Sequence, residues 1–177
     1  MRYLIAAVAL AVALLLAGCL SRGQYYKVYV DPAFTTDEQA AVMDGIAEWE
    51  ASAPVWFEVV IATCSGAHNE EICLHRADQA TLDAIAGPQY DGDTKGCGHH
   101  DGGEIWVAVD TAEHSHHSIR PIVEHEFGHA MGLQHMPGPY LMDPVVAWDR
   151  HVTCADVDQW YEVRGDKAPA CTLDDAR

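Results

Sequence analysis

Between His125 and His135 the chain reads His-Glu-Phe-Gly-His-Ala-Met-Gly-Leu-Gln-His, the pattern H-E-x-x-H-x-x-G-x-x-H. No other stretch so narrows the fold around it. Residues four apart on a helix stand one turn above each other, so His125 and His129 offer two imidazoles to one ion. Glu126 projects toward the same ion but stands off it, within reach of a water bound there. Gly132 takes a left-handed conformation, ends the helix and turns the chain sharply. That turn brings His135 back as a third nitrogen donor. Three neutral imidazoles and an open fourth position are the donor set of a catalytic Zn²⁺. The plain alternative is an amphipathic helix that happens to carry histidines, and the spacing argues against it.

Seven residues after His135 comes Met142, in Tyr140-Leu141-Met142-Asp143-Pro144. Alone it reads as a core methionine. With the histidine pattern it resembles the metzincin metallopeptidases, and the short spacing with Leu-Met-x-Pro is most similar to the matrixin branch. The resemblance is carried by these two motifs and extends more loosely over the chain after Tyr25. It implies an α+β fold. A twisted, mostly parallel sheet has an edge strand over the cleft, with an active-site helix and a small C-terminal subdomain ending in a helix. It also implies one catalytic Zn²⁺ on His125, His129 and His135, Glu126 as general base, and Met142 as the floor under the metal. The activity implied is a zinc endopeptidase acting on peptides or proteins. No tyrosine follows Met142 within two residues, so an astacin-type fifth ligand is absent.

Upstream, Tyr25 to Val30 is rich in aromatic and β-branched residues and reads as a strand. Thr35 with Glu38, or Thr36 with Gln39, supplies a capping box for a helix running to about Ala51. Ala41 or Val42, Ile46 (or Gly45 for close packing) and Trp49 are spaced for one buried face. Val55 to Ile61 is a second strand. Strand, helix, strand at these lengths predicts a parallel pair joined by a crossover. Farther on, Leu74 to Ala77 reads as a short strand and Gln79 to Ala86 as a short helix. Gly103 to Val109 is a strand that the resemblance places at the sheet edge above the cleft, where an extended substrate could pair with it. Ser118 is a plausible N-cap for a helix from Ile119 to Met131, with Pro121 in its first turn. Ile122, Val123, Ala130 and Met131 anchor that helix. By resemblance, the loop from Val145 to Val152 forms a pocket wall. Thr153 with Asp156 starts a last helix near Cys154, and Gly165 stops it.

Residues 1–18 read as a signal segment: Arg2, then an almost unbroken apolar run from Tyr3, ending in Leu16-Ala17-Gly18-Cys19. The run is short for a spanning helix. Its end is similar to a bacterial lipobox, which makes Cys19 the lipidated residue, 19–24 a tether and 25–177 the catalytic domain. The protein is then expected outside the cytoplasm, held by lipid to the cell membrane or the outer membrane. A simple secretory signal or short membrane anchor is the alternative. Five cysteines remain: Cys64, Cys73, Cys97, Cys154 and Cys171. An exported chain holds disulfides, and proximity suggests Cys64–Cys73 and Cys154–Cys171, leaving one thiol over.

Asp91 to Gly96 begins like a calcium loop, but Lys95 and Gly102 fall where ligands are needed, so Ca²⁺ is only weakly supported. Cys97-Gly98-His99-His100-Asp101 echoes the matrixin cysteine switch from inside the domain; a structural cysteine in a glycine-rich turn is the plainer reading. His114 to His117 is a histidine-rich loop, expected to be exposed. With 27 acidic against 10 basic residues the formal charge is −17, which argues against nucleic-acid binding. The chain is expected to be a monomer. Two other functions compete with the endopeptidase: a silent zinc-holding binding module, which has no need of Glu126, and a zinc amidase acting on a cell-wall peptide.

Overall fold

The computed structural model describes residues 23–86, 96–98, 103–109, 116–144 and 149–171. Strands β1, Gln24–Val30, and β2, Val55–Ile61, pair in parallel from Gln24 opposite Val55 to Val30 opposite Ile61. Helix α1, Thr36–Ser52, makes the crossover between them. It starts where expected. The Glu38 N–H donates to the Thr35 hydroxyl, and the Glu38 carboxylate accepts from the Thr35 N–H at 2.7 Å. Ala41, Val42, Gly45, Ile46 and Trp49 form its buried face.

Strand β3, Glu71–Ala77, lies parallel on the other side of β1. Helix α2, Gln79–Ala86, follows it. Strand β4, Gly96–Gly98, pairs antiparallel with β5, Glu104–Ala108, which in turn runs parallel to β3. The sheet order is β2-β1-β3-β5-β4. Tyr26, Val28 and Val30 point from β1 to one face, where helix α3, His116–Ala130, and α1 pack. A last helix, α4, is Cys154–Glu162, capped by Thr153 and Asp156 as the sequence suggests. The fold is the expected α+β arrangement on a mostly parallel sheet. The two expected disulfides, Cys64–Cys73 and Cys154–Cys171, are both formed.

Four expectations are corrected. The segment from Gly103 to Val109 is not the sheet edge: β5 has β3 on one side and β4 on the other, and the edge is β4. Isoleucine, valine and alanine buried along β5 fit an interior strand. Helix α3 begins at His116, so Ser118 lies inside it and is not its N-cap. Pro121 is the sixth residue of that helix, past the first turn, where its ring costs one backbone hydrogen bond. Part of the histidine-rich loop is therefore helical. Strand β3 also starts three residues earlier than expected, because Ile72 and Cys73 are buried against the sheet. The signal segment, Cys19, the Asp91–Lys95 stretch, His99, His100 and His114 lie outside the described residues, as does the Cys97 side chain.

Candidate active site

Helix α3 is fixed from behind before it offers anything to solvent. Phe127 stacks on Phe57 of β2 with centroids 5.6 Å apart, and Phe57 stacks on Tyr26 of β1 at 5.7 Å. The Trp49 indole N–H donates to the Glu124 carbonyl at 2.9 Å, bolting α1 to the same helix. Val123 and Ile119 are fully buried. His125 and His129 are thereby held on a turn whose position is set by the core.

Two glycines do different work here. At Gly128 a Cβ would stand 2.3 Å from the Met142 sulfur, so the methionine packs directly on the helix backbone and only glycine leaves room. Gly132 has φ +96, which turns the chain out of the helix, and nothing crowds it. The Gly132 and Leu133 N–H groups close the end by donating to the His129 and Gly128 carbonyls at 2.8 and 2.9 Å. His135 then comes back over the helix.

The three imidazoles meet through their Nε2 atoms. His135 Nε2 lies 3.3 Å from that of His125 and 3.0 Å from that of His129. The opposite ring nitrogens are committed: His125 Nδ1 bonds the Leu141 carbonyl at 2.8 Å, and His129 Nδ1 bonds the Leu133 carbonyl at 3.0 Å. A carbonyl only accepts, so each Nδ1 carries the proton and each Nε2 presents a lone pair. Burial pushes the His125 pKa down to about 4, which keeps it neutral. Converging lone pairs repel unless a cation stands among them. Nitrogens of a tetrahedral site with bonds of about 2.0–2.1 Å are about 3.3–3.4 Å apart. The donor set and spacing therefore fit Zn²⁺. His125 and His129 are buried and His135 is exposed, which leaves one side open.

Glu126 is buried, and its Oε2 has no hydrogen-bond partner among the described residues. Burial alone lifts its carboxyl to about 8. Helix α3 thus carries two of the imidazoles and, between them in sequence, a carboxylate whose buried Oε2 has no partner among the described residues.

The structure adds residues that the sequence reading did not assign to the site. Asp156 was read only as a helix cap. Its fully buried carboxylate also accepts from the Leu141 and Met142 N–H groups at 3.2 and 3.1 Å, besides the Thr153 N–H at 2.8 Å. It thus holds the turn whose Leu141 carbonyl orients His125 and whose Met142 lies under Gly128. Behind the site, Arg120 bonds Glu48 at 3.0 Å and Glu124 at 2.9 Å, and His151 reaches Glu48 at 3.0 Å. One guanidinium serves two carboxylates, and burial outweighs it at Glu124, whose pKa is raised to about 9. The Arg120–Glu124 spacing of four is the signal of this pair in the sequence. A second group with metal-ligand atoms, Cys64, Cys73 and Glu104, is ruled out as a thiolate site by the disulfide.

A peptidase family model described as Matrixin matches residues 26–160. No curated protein matches the chain. Among solved structures, that of myroilysin is similar at 19% identity over 65% of this chain and 50% of its own, with a TM-score of 0.42. High choriolytic enzyme 1, a hatching enzyme zinc-protease from Oryzias latipes (medaka fish), is similar at 16% identity over 67% of this chain and 51% of its own, with a TM-score of 0.37. The chain spans about half the length of these two structures. Likenesses this remote say nothing of individual residues.

Proposed function

The chain belongs to the matrixin family, and on that premise we propose that it is a zinc-dependent endopeptidase, with His125, His129 and His135 as metal ligands and Glu126 as general base. The observation that carries this reading is the meeting of three Nε2 lone pairs at the helix that also carries Glu126, whose buried Oε2 has no partner among the described residues.

Zinc held by the three imidazoles supplies Lewis acidity toward a peptide carbonyl and acidifies a water. The work of the chain itself follows from the geometry. The Leu141 and Leu133 carbonyls hold two imidazoles in the tautomer that donates through Nε2. Glu126, with its raised pKa, accepts the proton of the attacking water as the water oxygen bonds to the carbonyl carbon. It returns that proton to the amine as the C–N bond breaks. Met142 and Gly128 set the depth of the floor and stay out of the chemistry.

The proposal includes placement. Leu16-Ala17-Gly18-Cys19 is read as a lipidation signal, with Cys19 carrying the lipid and the domain held at a membrane surface outside the cytoplasm. Among the described residues no helix is long and apolar enough to cross a membrane. The test of the activity uses the full chain in detergent with a reduced, unfolded protein as substrate. Stripping the metal with a chelator abolishes cleavage, and one equivalent of Zn²⁺ restores it. Cleavage that survives full removal of metal overturns the reading.

A further inference from the structure

We propose that Tyr25 and Trp56 form a membrane-docking patch that seats the domain on the bilayer to which its N-terminus is tethered. The inference rests on the lipidation of Cys19 put forward above.

Tyr25 and Trp56 are direct partners across the β1–β2 pair, at the start of both strands. Both side chains leave the sheet on the face opposite Tyr26 and Phe57, which turn inward to Phe127. They are 46% and 54% exposed, although each is a large aromatic within a paired strand. Neither ring belongs to the core, which lies on the other face.

The position of the patch says what covers it. The Trp56 indole lies across Gly23: a Cβ there would sit 1.6 Å from the ring. Gly23 is four residues from Cys19. Four residues span at most about 13–14 Å fully extended. The headgroup layer on each side of a bilayer is about 5–8 Å thick. A lipid on Cys19 therefore keeps these two rings within reach of the interface whichever way the domain rolls. Tryptophan and tyrosine favour that layer, because one end of each ring is apolar and the other is polar. The next pair on that face is Lys27 opposite Glu58, and the Tyr25 hydroxyl bonds the Glu58 carboxylate. Aromatic rings at the tip with charge directly above make a graded edge suited to partial immersion. The net charge of −17 gives no attraction to anionic lipid, so the patch works through its rings and on neutral bilayers.

Docking fixes the orientation. With Tyr25 and Trp56 against the bilayer, the sheet stands between the membrane and helix α3, which packs on the opposite face.

The experiment places the full-length protein, expressed in a host that lipidates it, into phosphatidylcholine vesicles. In half of them the acyl chains are brominated near the headgroup. Intact mass first reports whether Cys19 is acylated. The chain has five tryptophans, so an immersed Trp56 predicts that bromolipid quenches emission by up to about a fifth. In Trp56→Phe that share of quenching disappears, while vesicle binding and the circular dichroism spectrum stay the same. A second variant, Tyr25→Ser, leaves Trp56 in place and lowers its quenching at least twofold by loosening the docked pose. If Cys19 is acylated and quenching is equal in the parent and Trp56→Phe, docking is overturned and tethering stands. If Cys19 is unmodified, the tether fails and the docking inference falls with it.

Discussion

Asp156 joins three parts of the site, and removing its carboxylate tests how that site is held. Asp156→Ala leaves the buried Leu141 and Met142 N–H groups and the half-buried Thr153 N–H without their acceptor. An orphaned buried donor costs about 1–3 kcal/mol. Part of that loss is recovered by relaxation, so about 3–5 kcal/mol is expected for the three, within a total stability of about 5–15 kcal/mol. Asp156→Asn keeps one oxygen but turns an NH₂ toward a donor, and about half that loss is expected. The effect reaches the metal because the Leu141 carbonyl fixes His125 at 2.8 Å. Loss of such an outer hydrogen bond lowers metal affinity about 10–100-fold. Urea unfolding of the metal-free protein reads the first number. Competition with a calibrated zinc chelator under native conditions, on variants shown to be folded, reads the second. Zinc affinity unchanged in a folded Asp156→Asn, within about twofold, refutes the idea that this carboxylate sets the ligand through the turn.

Other perturbations separate the remaining contributions. Gly128→Ala forces a methyl against the Met142 sulfur, 2.3 Å from the Cβ position, and costs about 1–3 kcal/mol in urea unfolding; adding Met142→Ala recovers part of the loss if the clash is the cause. Gly132→Ala meets no atom but must hold φ +96, so about 1–2 kcal/mol is lost from the backbone alone, and a loss under a few tenths contradicts that conformation. The metal-free protein has its own pH dependence. Glu124 and Glu126 titrate near 9 and 8 when folded against 4.5 unfolded, so their contribution is complete below pH 4.5 and is lost as pH rises through 8 and 9. His125 acts in the opposite sense and only between about 4 and 6.5. Above pH 6.5 the two carboxyls decide, and stability falls by up to about 1.4 kcal/mol per pH unit for each. Glu124→Gln flattens that slope in urea titrations at pH 6.5 and 8.5; an unchanged slope removes Glu124 from the account.

The chemistry of the site was legible in the sequence because its ligands are local. His125, His129 and His135 fall within a single helix and its turn, and the 3.6-residue period with one glycine fixes their meeting. The crossover β1–α1–β2 was legible too, since Thr35 and Glu38 mark a helix start and Trp49 marks its buried face. What escaped was set by distant partners. Strand β4 is Gly-Cys-Gly, with no strand propensity of its own, and it forms because β5 offers it an edge. The resemblance alone placed β5 at the edge, and β4 takes that position. The start of α3 was hidden because polar histidines and a proline oppose a helix locally, while packing of the helix downstream carries it. Asp156 sits in a capping pattern that explained it fully, and only the fold brings the Met142 turn onto its other oxygen.

The central claim is that Glu126 is the base of a zinc peptidase. The direct measurement is cleavage of an unfolded protein by the parent and by Glu126→Gln, each loaded with Zn²⁺ and each assayed for bound metal. Glu126→Gln keeps the shape and drops the burden of a buried carboxyl, so it binds zinc at full stoichiometry and its kcat/KM falls by about 10²–10⁴. A Glu126→Gln protein that holds zinc and cuts at the rate of the parent contradicts the account.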